Sequence, residues 1–255
     1  MTERLVYTQL LRTVENKGGG FLLLLDPDQA AESVCRTLSE AARDCDVDAI
    51  LVGSSFTFNS AFAPAVRTIK EAAEIPVLIF PGSFAQITPD ADAILFTSLL
   101  SGRNPTYLIE EQIKGAPLVK RFGIEPIAAG YLLIESGSLT SVQFVSGTLP
   151  IPREKNDIVC AHALAAQYLG MQLVYLEAGS GAELPVPPGM VNDVSSCVEI
   201  PVVVGGGLGT PEDCASRIEA GASFVVAGSR LERDPSLTLL RELADATHRQ
   251  ESLKA

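Results

Sequence analysis

Eight short apolar runs recur along the whole chain, and this spacing limits the fold more than any single motif: FLLLLD (21–26), DAILVG (48–53), PVLIFPG (76–82), DAILFTS (92–98), EPIAAGYLLI (125–134), QLVYLEAG (172–179), PVVVGGG (201–207) and SFVVAGS (223–229). Their apolar residues are continuous rather than alternating, as in parallel strands covered on both faces. Stretches such as AAESVCRTLSEAARD and EKNDIVCAHALAAQYLG separate them with apolar spacing near three and four, and Gly170 and Gly221 fall where helix C-terminal caps belong. Eight strand–helix units in 255 residues predict an α/β chain folded as one (β/α)8 TIM barrel spanning residues 1–255. One connection is short. Only SFAQITPD separates Gly82 from Ala91, so the third helix is expected to be replaced by a loop or short strand. The long insertion ESGSLTSVQFVSGTLP (135–150) after the fifth run is expected to close over a site.

Composition narrows the classes of partner. With 47% apolar and 20% charged residues the chain can bury a large core. Its formal charge of −12, without a run of basic residues, argues against nucleic acid. The cysteines, at 35, 45, 160, 197 and 214, are odd in number, scattered and without C-x-x-C spacing, so they read as reduced, buried thiols of a cytoplasmic protein. No apolar run reaches the ~20 residues of a membrane span, so an integral membrane protein is not expected. A homo-oligomer is the common state for soluble enzymes and is expected here.

In a TIM barrel the active site lies at the C-terminal strand ends, and phosphate is often held by the loops after strands seven and eight. Those loops carry Gly205-Gly206-Gly207 and Gly228-Ser229, whose exposed backbone N–H groups suit an anion; the alternative is that they are only tight turns. Thr210, Pro211 and Asp213 form a helix start just beyond, and a G-x-G-x-x-G frame begun at Gly205 ends on Thr210, which removes the dinucleotide reading. Asp26-Pro27-Asp28 and Gly53-Ser54-Ser55 end the first two strands, and their hard oxygens suit Mg²⁺ completed by substrate phosphate. Asp26 could instead serve only as a turn former before Pro27. Glu177, directly after a buried run, must stand at the barrel rim, where a carboxylate either pairs with a cation or works on a substrate. Small residues, Ala178 to Gly181, follow it and permit close backbone contact.

Taken in order, DPDQ, VGSS, FPGS, SLLSGRNPTYLI, YLEAGSGA, VVVGGGL and AGS make the chain resemble the geranylgeranylglyceryl phosphate synthase family, which includes the bacterial heptaprenylglyceryl phosphate synthases. The resemblance runs from about Asp26 to Leu231, and YLEAGSGA with the triple glycine is its most specific pairing. It implies transfer of a prenyl group, with geranylgeranyl diphosphate the expected donor, to the 3-hydroxyl of sn-glycerol 1-phosphate in ether-lipid synthesis. It places Mg²⁺ at Asp26 and Ser55. Glycerol phosphate falls to Tyr175, Leu176, Glu177, Ala178, Gly179, Ser180, Gly181, Gly206, Gly207, Gly228 and Ser229, with Tyr175 and Glu177 as the catalytic pair. One position departs: the family commonly carries Lys where this chain has Gln29, which leaves Arg103 as a replacement cation for diphosphate.

Such chemistry needs a neutralised leaving group, a fixed acceptor hydroxyl and a base such as Glu177. It needs no Schiff-base lysine, and Lys17, Lys70, Lys114, Lys120, Lys155 and Lys254 all lie away from the strand ends. His162 and His248 sit in helical stretches and read as packing or surface residues. Phe80, Phe84, Leu99, Leu100, Tyr107 and Leu108 are candidates to line a groove for the prenyl tail, since each buried CH₂ is worth about 0.8 kcal/mol. Two other readings remain open: a phosphate-barrel enzyme of the sugar-phosphate isomerase type, and a barrel that binds a phosphate ligand without turning it over.

Overall fold

The computed structural model describes residues 5–56 and 61–248. Eight parallel strands close in chain order into one barrel: β1 (Gly20–Leu25), β2 (Ala49–Val52), β3 (Val77–Ile79), β4 (Ala93–Leu99), β5 (Glu125–Leu133), β6 (Leu173–Glu177), β7 (Val202–Gly205) and β8 (Phe224–Ala227). Each falls within one of the eight apolar runs or at its edge. The longest pairing joins β4 to β5, from Ala93↔Glu125 to Leu99↔Tyr131.

Continuity of the apolar runs follows from two cores that share the same strands. Leu22, Leu51, Leu95, Tyr131, Tyr175 and Val226 point into the barrel. Their neighbours Leu23, Ile50, Ile94, Leu132, Leu176 and Val225 pack outward against the helices. Alternate residues thus meet different apolar partners, as the two-residue strand period requires.

The helices are α1 (Leu5–Lys17), α2 (Glu32–Ala42), α3 (Phe62–Ala72), α4 (Glu111–Phe122, entered through a π-helical turn over Thr106–Glu110), α5 (Ser141–Ser146), α6 (Asn156–Tyr168), α7 (Pro188–Cys197), α8 (Pro211–Glu219), α9 (Ser229–Arg233) and α10 (Leu237–Thr247). Helix α1 closes the N-terminal end of the barrel: Val6 and Leu10 join the inner core, and the buried Glu125 carboxylate accepts the N–H groups of Val6 at 2.8 Å and Tyr7 at 3.1 Å. The expected cap of α8 forms as a full capping box between Thr210 and Asp213.

The crossover between β3 and β4 has no helix, only a 3-10 turn at Phe84–Gln86, so a loop rather than a short strand replaces it. Cys35, Cys45 and Cys214 are buried as expected, but Cys160 and Cys197 are only half-buried, because they sit near each other at the outer edge of the α6–α7 contact. Among the described residues no helix is long and apolar enough to cross a membrane. His162 lies half-buried on α6, and half-buried His248 bridges Asp46 and Asp48 at the N-terminal end of the barrel with Lys17. Lys254 lies outside the described residues.

Candidate active site

One elongated cleft, open to solvent, occupies the C-terminal mouth of the barrel. Its two ends differ in chemistry.

The polar end is built by the loops after β6, β7 and β8. Gly206 and Gly207 adopt φ of +86° and +73°, a left-handed backbone that glycine enters without strain. A side chain would also have no room there: a Cβ on Gly206 would strike the Glu177 carboxylate and the Gly179 N–H, and one on Gly207 would lie 2.8 Å from the Ala182 carbonyl oxygen. The turn therefore brings the loops after β6 and β7 together before any ligand arrives. Among the described residues, the N–H groups of Gly206, Gly207 and Gly228 have no backbone acceptor, and Ser229, as the first residue of α9, has none within its helix. Ser180 and Ser229 join the loops after β6 and β8 through a 2.8 Å contact between their hydroxyls. The Arg233 guanidinium reaches the rim beside Gly181.

Glu177 ends β6 and is 5% exposed. Its Oε1 accepts the Gly179 N–H at 2.5 Å. Burial pushes its carboxyl up to about 7, against the opposing pull of Gly179 and the hydroxyls of Tyr175 and Tyr131. Both phenols are pushed well above their ordinary range by burial and by the Glu177 charge, so they stay protonated as donors. The Tyr175 hydroxyl faces Glu177 but reaches no acceptor with full hydrogen-bond geometry, which leaves a fully buried donor at the floor of the cleft. Stacking fixes these rings: the Phe80 and Tyr175 centroids are 5.0 Å apart, and Tyr131 tilts against both at 5.9 and 5.5 Å.

On the β1–β2 side stand Asp26 and Gly53-Ser54-Ser55. Burial raises the Asp26 carboxyl, partly offset by hydrogen bonds from Asp28 and Ser54. Asp26, Glu111 and Glu177 are the charged residues in the lining, which contains no Lys or Arg among the described residues. Arg103 does not fill that role: its Nη1 donates to the carbonyls of Leu100, Ser101 and Gly102 in its own loop. It lies outside the lining.

The apolar end runs between Phe80, Phe84, Leu99 and Tyr107, four of the six residues expected to line a groove; Leu100 and Leu108 lie outside it. Ile94 and Phe96 also line it, although their side chains leave β4 on its outer face. The cleft thus passes from the barrel mouth to the outside of β4, the surface a third helix would have covered. Helix α4 closes the far side, held where Glu111 accepts the Phe84 N–H at 2.7 Å. Val142 and Val145 on α5 close the top, as expected of the insertion. Ile94, Phe96, Val142 and Val145 escaped the sequence reading, although the short third crossover marks the outer face of β4 as uncovered.

Of the expected site residues, Asp26, Ser55, Tyr175, Glu177, Ser180, Gly206, Gly207, Gly228 and Ser229 line this one cleft. Gly179 and Gly181 shape the loop behind it, with φ of +103° and +67°. The Leu176 and Ala178 side chains face the helix layer, and the Ala178 N–H donates to the Gly205 carbonyl at 3.0 Å.

Fold and site together define a (β/α)8 barrel whose cleft joins a glycine-lined pole of backbone N–H groups, unpaired among the described residues, to an apolar arm, with a buried carboxylate between them. Comparison with known proteins agrees with that class. Residues 11–247 match the PcrB family, and the chain belongs to it. Among its relatives are the geranylgeranylglyceryl phosphate synthases of Spirosoma linguale, 41% identical over 87% of this chain and 91% of that protein, and of Thermococcus kodakarensis, 45% identical over 89% and 90%. The crystal structure of (S)-3-O-geranylgeranylglyceryl phosphate synthase from Thermoplasma acidophilum with its substrate sn-glycerol-1-phosphate superposes with a TM-score of 0.91 at 35% identity, covering 98% of this chain and all of that one.

Proposed function

We propose that the protein transfers a prenyl group from a prenyl diphosphate, with geranylgeranyl diphosphate the favoured donor, to the 3-hydroxyl of sn-glycerol 1-phosphate. The observation that carries this reading is the single cleft in which a glycine-lined anion pole meets an apolar arm at Glu177. The relatives' shared activity supports it. An isomerase acting on a small sugar phosphate would have no use for the apolar arm.

In this reading the N–H groups of Gly206, Gly207, Gly228 and Ser229 hold the glycerol phosphate, with the Ser180 and Ser229 hydroxyls beside them. Tyr175 orients the acceptor hydroxyl, and Glu177 takes its proton as the new ether bond forms and the bond from prenyl C1 to diphosphate breaks. A carboxylate near pH 7 suits that task, because a base works best when its pKa lies close to the operating pH. The prenyl tail lies along Phe80, Phe84, Phe96 and Leu99.

The donor set on the β1–β2 side fits Mg²⁺: one half-buried carboxylate at Asp26, hydroxyls at Ser54 and Ser55, and no basic lining residue to balance a diphosphate. Among the described residues no group of three or more His, Cys, Asp or Glu could hold a metal by itself. That suits a cation completed by substrate oxygens. Bound there, Mg²⁺ would neutralise the leaving diphosphate. A cytoplasmic homo-oligomer completes the reading.

The test is incubation with sn-glycerol 1-phosphate, Mg²⁺ and prenyl diphosphates of several lengths, with mass measurement of the lipid product. Geranylgeranylglyceryl phosphate together with released diphosphate is expected. Binding of both substrates without product would favour a ligand-binding barrel, and no binding at all would sink the assignment.

A further inference from the structure

Glu232 is a half-buried carboxylate that does not line the cleft, yet it bridges the two loops assigned to different substrates. It stands one turn into α9, where its N–H donates to the Gly228 carbonyl at 3.0 Å. Its Oε1 accepts the Asp26 N–H at 2.6 Å. At one end of this bridge is the anion pole, at the other the carboxylate on the diphosphate side.

Several contacts make the bridge stiff. Leu231 is fully buried and anchors α9 in the helix layer. Gly228 lies so tightly on β1 that a Cβ would strike the Leu24 carbonyl oxygen. The Asp26 carbonyl accepts from Gln29 at 3.0 Å and Ala30 at 2.9 Å, and Asp26 Oδ1 accepts from Asp28 at 2.9 Å, so the loop after β1 forms a closed turn hung from α9 by the Asp26 N–H. Placing a carboxylate in such a spot to accept one amide is costly for the fold alone, and a shorter neutral side chain would avoid the desolvation.

We propose that Glu232 is a positioning residue that couples the two substrate sites. An anion bound at Gly228 and Ser229 fixes the start of α9, and the Glu232–Asp26 hydrogen bond carries that constraint to the Asp26 carboxylate. Because such a coupling is reciprocal, each substrate tightens the binding of the other. This inference rests on the proposed reaction, but its test is separate from turnover.

The first measurement uses the wild-type protein and sn-glycerol 1-phosphate alone. Hydrogen exchange of the Asp26 amide should slow by roughly ten-fold on binding, within the usual size of a coupling between sites; unchanged exchange with the ligand bound overturns the proposal. The second measurement is affinity for geranylgeranyl diphosphate with and without sn-glycerol 1-phosphate. The wild type should show a coupling of roughly ten-fold, Glu232→Ala and Glu232→Asp a coupling near one, and Glu232→Gln, which keeps an acceptor oxygen at full reach, most of the original. Coupling retained in the alanine variant also overturns it, and should that variant not fold, amide exchange in the wild type decides alone. A wild type that shows the amide effect but makes no lipid product would sink the reaction and leave the bridge standing.

Discussion

The anion pole and the apolar arm of the same cleft are held in shape by different means. At the pole the working groups are backbone N–H groups, and their direction is set by φ values that glycine alone adopts cheaply and by close contacts such as Gly206 against Glu177. Its geometry is complete before substrate binds, which is how fixed dipoles act most strongly on developing charge. The arm is defined by side chains from the loop after β3 and from β4, α4 and α5 around a space that a missing helix leaves open. Its lining includes an exposed apolar group, Phe84 at 38%. A rigid pole suits one small acceptor, and a side-chain arm can be reshaped for tails of different length.

Glu177, where the two regions meet, gives the largest expected effect. Glu177→Gln keeps the shape but removes the base, so kcat should fall by ~10²–10⁴ while the Kd for sn-glycerol 1-phosphate changes only a few-fold. Steady-state kinetics with isothermal titration checks this; a variant that no longer binds would make Glu177 part of the pole instead. Asp26→Asn should come next. Turnover should drop on the order of ten- to a hundred-fold, about 1.4–2.7 kcal/mol, with circular dichroism unchanged. Near-normal Mg²⁺-dependent turnover would remove Asp26 from the diphosphate side.

The pH dependence sharpens the contrast further. If Glu177 is the base, kcat/KM should rise about ten-fold per unit below its pKa and level off above about 7, and Glu177→Gln should flatten that rise. Stability should move the other way. The folded protein holds the Glu177 proton to about 7, above the 4.5 of an ordinary Glu, so this stabilising contribution is full below 4.5 and is lost as pH rises through about 7. Glu232, also pushed up to about 7 by burial, adds to the same trend. Thermal melts should therefore show Glu177→Gln gaining more over the wild type at pH 8 than at pH 4.

The smallest effects separate the regions most cleanly. Ser229→Ala should weaken sn-glycerol 1-phosphate by about five-fold, roughly 1 kcal/mol, and leave geranylgeranyl diphosphate unchanged. Phe84→Ser should do the reverse by a similar factor, as expected for losing part of one apolar contact. Equal losses for both substrates in either variant would mean that the cleft is not divided as described. Gly207→Val is a poor probe of the pole, because the new Cβ would press on Ala182 whether or not phosphate is bound.

The barrel and the pole were legible in the sequence because both rest on local rules. Continuous apolar runs identify strands covered on two faces, and glycines at strand ends identify turns with exposed N–H groups. YLEAGSGA beside the triple glycine placed Glu177 at the rim for the same reason. What the sequence left open depends on which residues, far apart in the chain, end up side by side. The raised Glu177 carboxyl needs the Tyr131 and Tyr175 rings packed around it, and no pattern within one strand brings Tyr131 there. Arg103 looked free to meet diphosphate, but its guanidinium turned back onto its own loop. Ile94 and Phe96 read as ordinary strand core, and only the absence of a helix over β4 turned them into cleft wall. Glu232 stands 206 positions from Asp26 and was brought to it by closure of the barrel, with β8 pairing to β1. Local propensity and backbone sterics decide what a segment becomes, whereas burial, electrostatics and coupling belong to neighbours that only the closed barrel supplies.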